Sequence, residues 1–218
     1  MKRAVCALVS GGLDSCVMLA ELARRYRKVH PVFVRYGLVW ETMELEHLRK
    51  FLRGAKIPRV QPLTVLALPV RDLYGAHWST TARKVPHART PDEAVYLPGR
   101  NLLLLSKAAV FCALNQVDTM AIGSLDHNPF PDATPKFFRE FATVAGEALN
   151  SHIKVIGPFR SLSKEKVIHR GKSLPLHLSF SCIAPHRRMH CGRCNKCAER
   201  QQAFLAANVS DHTKYASH

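Results

Sequence analysis

The sequence SGGLDS at residues 10–15 constrains the fold of this chain more than any other feature. It follows a short apolar run at residues 4–9, which predicts a buried strand, and it precedes a segment with apolar residues at helical spacing. Glycine lets backbone N–H groups approach an anion closely, and the positive end of the helix dipole points to the same place. The hydroxyls of Ser10 and Ser15 can add hydrogen bonds. The segment therefore predicts a phosphate-binding loop between a strand and a helix.

Asp14 lies inside this loop and carries a charge that phosphate repels. We therefore expect it to hold Mg²⁺ or to orient the loop. The alternative is a tight strand-to-helix turn that Asp14 caps. The segment is neither a Walker loop, which needs Gly-Lys-Ser/Thr, nor the glycine pattern of dinucleotide-binding folds.

Strand-like and helix-like segments alternate along most of the chain. We expect strands at residues 4–9, 32–36, 61–66, 119–123 and 153–156, and helices at 15–28, 41–53, 102–115, 135–149 and 163–169. This alternation predicts an α/β fold, with a doubly wound, mostly parallel sheet and helices on both faces. The helix at 102–115 is so apolar that it should be buried. We expect residues 1–218 to form a single domain, with residues 177–204 as a small C-terminal element.

Residues 76–93 interrupt the alternation. They are rich in threonine, arginine, histidine and proline, and they show no clear period. An irregular insert of this length is often a lid or a binding loop, and sometimes disordered. Both interpretations stay open.

Composition limits the location and the partners. The apolar runs are far shorter than the roughly 20 residues that a membrane span needs, and no signal peptide is recognisable, so we expect a cytoplasmic protein without membrane contact. The net charge of +16 favours polyanionic partners such as nucleotides or nucleic acid. A general basic bias explains the charge about equally well.

Four of the seven cysteines form a C-x8-C-x2-C-x2-C pattern near the C-terminus: Cys182, Cys191, Cys194 and Cys197. Four thiolates complete a tetrahedral zinc site without an open position, which is typical of a structural site. An iron–sulfur cluster is the main alternative. Cys6, Cys16 and Cys112 lie in predicted strands or helices, and we interpret them as small core residues.

The loop at residues 10–15 resembles the pyrophosphate loop of N-type ATP pyrophosphatases. Together with the cysteine pattern, it makes the chain resemble the 7-cyano-7-deazaguanine synthase family of queuosine biosynthesis over nearly its full length. Further matching segments are Tyr36-Gly37, LPGRN at residues 97–101, Gly123, Pro131-Asp132, Ser181-Cys182 and Arg200 after the last cysteine.

The resemblance implies an adenine nucleotide alpha hydrolase-like fold and an AMP-forming carbon–nitrogen ligase. In that family, ATP adenylates the carboxylate of 7-carboxy-7-deazaguanine, and ammonia then displaces AMP to give an amide. A second ATP activates the amide, and loss of AMP leaves the nitrile. The implied cofactors are structural Zn²⁺ and Mg²⁺ with ATP, and the family precedent implies a homodimer.

The resemblance also implies site residues. The ATP-binding residues are Val9, Ser10, Gly11, Gly12, Leu13, Asp14, Ser15, Tyr36, Gly99, Arg100 and Gly123. Asp14 and Arg100 are the expected catalytic residues. A surface role for Arg100 is disfavoured because a cation at a helix start is close to the positive end of the dipole.

Three residues are expected to contact the substrate: Asn101, Phe130 and Asp132. Phe130 would stack on a purine-like ring, with packing inside its loop as the alternative. Asp132 would bind a guanine-type amidine edge or cap the helix near Pro135, and Asn101 would contact the nucleotide or cap a helix.

The chain departs from the family pattern mostly where the substrate should lie. Leu13, Arg35 and Leu38 replace the usual Gln, Asp and Gln, Ala133-Thr134 replaces Cys-Arg, and residues 126–130 lack the usual acidic, glycine-containing loop. Two other functions therefore stay open. One is a tRNA-modifying enzyme that adenylates a base. The other is a repurposed homologue that stops at the amide or uses another amine.

Overall fold

Five parallel strands form one sheet in the computed structural model, which describes residues 2–126 and 128–216. The strands are β1 (Lys2–Leu8), β2 (Tyr26–Arg35), β3 (Thr64–Ala67), β4 (Thr119–Ala121) and β5 (Lys154–Ile156). Their spatial order is β3-β2-β1-β4-β5. β1 pairs with β2 and with β4, with Val5 opposite Val29 and Ala7 opposite Ala121. The predicted parallel α/β architecture is confirmed.

Eight α-helices connect and cover the strands within the described residues. They are α1 (Leu13–Arg25), α2 (Glu41–Ala55), α3 (Arg71–Tyr74), α4 (Trp78–Thr81), α5 (Arg100–Leu114), α6 (Pro135–Ala148), α7 (Lys164–Arg170) and α8 (Asn195–Ala206). Short 3₁₀ turns occupy Asp92–Val95, Pro131–Ala133 and Leu176–Leu178.

Helices cover both faces of the sheet, as the sequence predicts. Leu19 of α1, Leu48 of α2, Val167 of α7 and Phe204 of α8 belong to the core on one face. The core on the other face contains residues of α5 and α6, among them Leu105 and Phe138. Because both faces are covered, the central strands contain continuous apolar runs, at residues 4–8 of β1 and 32–34 of β2. Among the described residues, no helix is both long and apolar enough to span a membrane.

Two expectations about helices are wrong. Tyr26, Arg27 and Lys28 belong to β2 and not to the preceding helix, because pairing with β1 begins at Lys2 opposite Tyr26. α5 is not buried throughout: Leu102 and Leu114 on its outer side are 45% and 80% exposed. An apolar sequence all around a helix does not ensure burial, since only one side of α5 faces the sheet.

Residues 76–93 dock onto the C-terminal element. The N–H of Ala88 donates to the carbonyl of Arg193 at 3.0 Å, and the N–H of Asn195 donates to the carbonyl of Pro86 at 3.0 Å. The side-chain amide of Asn195 also donates to the carbonyl of Thr90 at 2.8 Å. The insert is therefore anchored at several points, and it contains the short helix α4.

Gly11 is packed where a side chain does not fit. Its φ is +83°, and a Cβ there would lie 2.7 Å from the carbonyl oxygen of Glu44 and 3.2 Å from Cβ of Leu48. The missing Cβ lets the loop after β1 rest directly on α2. This contact fixes the distance between the loop and the first turns of α2.

We expect Gly11→Ala to lower the free energy of unfolding by about 2 kcal/mol or more, because it adds steric overlap to left-handed backbone strain. Gly37→Ala is the matched control: its φ is +81°, but nothing lies within 4 Å of the added Cβ. Urea denaturation of both variants measures the difference. Equal losses would show that the contact with α2 adds nothing.

Candidate functional site

The candidate site lies at the carboxyl ends of β1 and β4, on either side of the point where the strand order reverses. Ligands of open α/β sheets bind at such a position. The loop after β1 contains residues 9–12, and Gly123 follows β4. A Cβ on Gly123 would lie 3.5 Å from Cβ of Asp14, so the two segments are in contact.

The loop at residues 10–15 is held by its own hydroxyl groups. Oγ of Ser15 donates to the carbonyl of Gly12 at 3.0 Å and accepts from the N–H of Ser10 at 3.3 Å. The N–H of Gly12 donates to Oγ of Ser10 at 3.3 Å. Gly12 occupies the N-cap position of α1, so Asp14 lies in the first turn and does not cap the helix. These bonds within the loop fix its shape.

Asp14 is paired with Lys164, a residue that sequence analysis missed. Nζ of Lys164 lies 2.7 Å from Oδ2 of Asp14 and 3.0 Å from Oε1 of Glu199. The lysine side chain is only 20% exposed. Burial lowers the pKa of Lys164, but the charges of Asp14 and Glu199 outweigh burial and leave the pKa above its ordinary value. Lys164 is therefore a fixed positive charge beside the loop.

Glu199 is the second carboxylate of this cluster. Oε2 of Glu199 accepts from Lys196 at 2.7 Å. Burial raises the pKa of Glu199, but the charges of Lys164 and Lys196 lower it to about 2. The cluster therefore combines two lysines with two carboxylates at the loop.

Two buried polar atoms at the site have no hydrogen-bond partner among the described residues. They are Oδ1 of Asp14 and Nε of Arg100. A buried polar atom without a partner is costly in free energy. An acceptor and a donor left open in this way fit a cation next to Asp14 and an anion next to Arg100.

Two cavities meet at the loop. The first, of about 230 Å³, extends between the strand ends and is lined by Leu8, Val34, Tyr36 and Ile122. The second, of about 330 Å³, extends towards the C-terminal element and is lined by residues that include Trp40, Trp78 and Lys164. Ser10, Gly12, Asp14, Glu44 and Arg100 line both cavities.

Most of the residues predicted to bind ATP face the first cavity. These are Val9, Ser10, Gly12, Asp14, Ser15, Tyr36, Arg100 and Gly123. Leu13 faces the second cavity instead. Gly11 and Gly99 line neither of these two cavities. Gly11 packs against α2, and Gly99 is the N-cap of α5 with a φ of +70°.

The three predicted substrate residues are also at the first cavity, but two of them bind each other. The carboxylate of Asp132 accepts from the backbone N–H of Asn101 at 2.8 Å and from its side-chain amide at 3.3 Å. Asp132 thus covers the start of α5, while Thr134 caps α6. Phe130 stacks on Tyr96, with ring centroids 5.0 Å apart, and it lines both cavities.

Sequence analysis missed Lys164, Glu44 and the pair Trp40–Trp78. One signal for Lys164 was present: it is a cation in the first turn of a helix, the same electrostatic argument that singled out Arg100. Glu44 and the tryptophans lacked such a signal, because a glutamate and an indole are ordinary residues of a helix and a loop.

The four predicted cysteine ligands converge. Cys182, Cys191, Cys194 and Cys197 are buried, and all their sulfur atoms lie within 4.8 Å of one another. Sγ of Cys194 is 3.8 Å from Sγ of Cys182, and Sγ of Cys191 is 4.0 Å from Sγ of Cys197. Hydrogen bonds with the neighbouring thiols lower the pKa of Cys191. The cluster can hold a metal ion.

The cysteine element touches the loop directly. The N–H of Phe180, two residues before Cys182, donates to the carbonyl of Gly11 at 2.7 Å. The buried guanidinium of Arg200 donates to Oγ of Ser179 at 3.0 Å and to the carbonyl of Leu176 at 2.9 Å. These bonds hold the chain segment before Cys182 against the loop.

Comparisons with known proteins agree with this geometry. Residues 3–208 match the model of the family described as queuosine biosynthesis protein QueC. The 7-cyano-7-deazaguanine synthase of Leptospira interrogans (strain Fiocruz L1-130) is 31% identical over 94% of this chain and 87% of that protein. The 7-cyano-7-deazaguanine synthase of Myxococcus xanthus is 32% identical over 99% of this chain and 98% of that protein.

One solved structure shows the same fold. A 4-thiouridine synthetase–RNA complex with bound ATP has a TM-score of 0.52 and 15% identity. The alignment covers 95% of this chain and about half (50%) of that one. The predicted adenine nucleotide alpha hydrolase-like fold is thus confirmed. From the family match and the identity over nearly the whole chain, the protein belongs to the queuosine biosynthesis protein QueC family.

Proposed function

We propose that this protein is an AMP-forming carbon–nitrogen ligase that converts 7-carboxy-7-deazaguanine into 7-cyano-7-deazaguanine with ATP and ammonia. The observation that carries the proposal is the shaped loop at residues 10–15 with Lys164 and the unpaired Nε of Arg100 beside it. The names of the relatives support the substrate.

ATP would extend along the first cavity. Its adenine would lie between the apolar side chains of Leu8, Val34 and Ile122, and its phosphates would follow the loop towards Lys164. Mg²⁺ fits Oδ1 of Asp14, the open acceptor, and would neutralise phosphate charge there. Asp14 is thereby a candidate for both cation binding and positioning of Lys164.

The residues at the loop would then promote adenylation by electrostatics. Attack of the substrate carboxylate on the α-phosphorus builds negative charge on phosphorus and on the departing pyrophosphate. Arg100 lies where both cavities meet, at the expected position of the α-phosphate, and Lys164 lies on the pyrophosphate side. Preorganised donors at such positions contribute several kcal/mol each to a lowered barrier, typically about 3 kcal/mol.

The deazapurine would lie next to Phe130, whose ring lines both cavities and already stacks on Tyr96. Asp132 and Asn101 remain proposed substrate contacts. Because they already bind each other, an amidine edge would have to displace the Asn101 amide. Phe130 is therefore the better supported of the three.

A second function is favoured by one observation, the net charge of +16. Under it, the protein would adenylate a base of tRNA. This tRNA-modifying function uses the same ATP site as the proposed ligase and differs from it in the acceptor. The same holds for a homologue that forms the amide or uses another amine.

The metal in the cysteine cluster is proposed to be structural Zn²⁺. A tetrahedron of sulfurs about 2.3 Å from zinc has edges of about 3.8 Å, which matches the separations of 3.8 and 4.0 Å. A cluster of several iron atoms lies between its thiolates and spreads them further apart. Closely spaced sulfurs therefore fit a single ion. The division into one domain with a zinc element at residues 177–204, the homodimer and the cytoplasmic location stay predictions.

Reaction products distinguish the proposed functions. We expect the purified protein with Mg-ATP, ammonium and 7-carboxy-7-deazaguanine to give the nitrile, with twice as much AMP as product. Mass spectrometry of the product and AMP quantification measure this. An amide with equimolar AMP would indicate the amide-forming branch, and AMP formation only after addition of tRNA would contradict the small-molecule substrate.

Lys164→Met should lower the rate of AMP formation by about 10²–10³-fold, because a positive charge beside the pyrophosphate is lost. Lys166→Met is the matched control, since Lys166 is exposed on the same helix. Circular dichroism verifies that both variants are folded. A Lys164→Met variant as active as the control would show that Lys164 does not contribute to adenylation.

The protein should contain about one zinc per chain without visible absorbance. Cys194→Ser should lose most of this zinc and also bind ATP more weakly, because Phe180 reaches the loop from the cysteine element. The matched control is Cys112→Ala, which changes a buried cysteine outside the cluster and should retain the metal. Elemental analysis and ATP titration measure both effects; a brown, iron-containing protein would exclude the zinc proposal.

A further inference from the structure

Glu44 is a carboxylic side chain that lies at the junction of the two cavities and has no role in the adenylation derived above. It lines both cavities. Its position is fixed by the backbone, because the carbonyl of Glu44 is the atom on which Gly11 packs. The side chain is therefore held beside the loop, at the place where the α-phosphate and the substrate carboxylate are expected to meet.

Among residues 2–126 and 128–216, no ion pair joins the carboxylate of Glu44 to a basic side chain, so the carboxylate can bind a ligand cation. Arg100 and Glu41 are the charged groups that most affect the pKa of Glu44: Arg100 lowers it and Glu41 raises it. Glu41 is itself engaged, with Arg35 at 2.9 Å and the N–H of Gly37 at 2.8 Å.

Charged groups on other elements face the same space. Asp14 and Arg100 line both cavities with Glu44, and Lys164, Lys196 and Glu199 line the second. Asp14, Lys164 and Glu199 are joined in one cluster. Glu44 belongs to neither that cluster nor the pair of Glu41 with Arg35.

Aromatic rings form the wall next to Glu44 in the second cavity. Trp40 and Trp78 stack with centroids 5.4 Å apart and planes 15° apart. Both line the second cavity, as does Phe180. A carboxyl group next to indole rings is the combination that binds ammonium-type cations, by charge and by cation–π attraction.

We propose that Glu44, with the Trp40–Trp78 pair, binds the nitrogen nucleophile as its ammonium ion and accepts a proton from it. The inference rests on the proposed function, because it assigns the nucleophile site of that ligase. It adds a catalytic residue that the family resemblance did not indicate.

Ammonium transfers one proton to the Glu44 carboxylate and becomes ammonia. The nitrogen lone pair attacks the carbonyl carbon of the acyl adenylate and forms the C–N bond. The C–O bond to AMP breaks, and its electron pair leaves on the phosphate oxygen. The second proton of the attacking nitrogen goes to the departing AMP or to water.

The pKa of Glu44 suits this proton transfer. Burial raises its pKa to about 8, against the opposing effect of the Arg100 charge. Ammonium is only a slightly weaker acid than the Glu44 carboxyl group, so the proton moves to the carboxylate at little cost. The positive charge of bound ammonium favours the ionised form of Glu44 that this transfer needs. An ordinary glutamate would be too weak a base for the same task.

The test separates adenylation from aminolysis. Exchange of labelled pyrophosphate into ATP, with 7-carboxy-7-deazaguanine and without ammonium, reports adenylation alone. Amide formation is then measured with ammonium and, separately, with hydroxylamine, which is mostly neutral at neutral pH and needs no base before it attacks. The variants are Glu44→Gln, Trp78→Leu and the matched control Glu46→Gln, whose carboxylate pairs with Arg188 outside both cavities.

Glu44→Gln should keep pyrophosphate exchange within about threefold, lose about 10²-fold in amide formation with ammonium and remain within about threefold with hydroxylamine. Trp78→Leu should raise the KM for ammonium and leave the rate of pyrophosphate exchange unchanged. Glu46→Gln should resemble the native protein in every assay.

Equal losses with ammonium and hydroxylamine, or equal losses of exchange and aminolysis, would overturn the assignment of Glu44 and leave the proposed function standing. Absence of exchange in the native protein would overturn the function and the inference together.

Discussion

The hydrogen bond from the N–H of Phe180 to the carbonyl of Gly11, at 2.7 Å, ties together the parts of this protein. Gly11 has two partners: α2 packs against its Cα, and the segment before Cys182 donates a hydrogen bond to its carbonyl. The shape of the phosphate loop therefore depends on residues that are far apart in the chain. A metal-binding element and a nucleotide-binding loop that look independent in the sequence share one backbone contact.

Charged side chains from distant parts of the chain also meet at the loop. Lys164 is held by Asp14 and Glu199. These carboxylates keep a long, flexible side chain in one position, and they satisfy its charge at the edge of the cavities. A lysine preorganised in this manner loses little conformational freedom when a polyanion arrives. Arg100 complements it from the start of α5, where its Nε is open.

Sequence patterns predicted the parallel sheet, the loop and the cysteine cluster because each depends on local spacing. Gly11 and Gly12 lie next to each other, and three of the cysteines lie within a few residues of one another. Lys164 was not found, because 150 residues separate it from Asp14 and only the fold brings the two together. The engagement of Asp132 with Asn101 was missed for the same reason, since a carboxylate in a loop has several possible partners.

Trp40 and Trp78 are the two tryptophans of the chain, and the structure stacks them against each other at the edge of the second cavity. Trp78 lies in the insert whose later residues dock onto the segment around Cys194. The intrinsic tryptophan fluorescence of the protein therefore arises at one location, where the insert, α2 and the cavity meet. Emission and exciton-coupled circular dichroism of this pair report on that location without any label, so a change in packing there is visible spectroscopically in the unmodified protein.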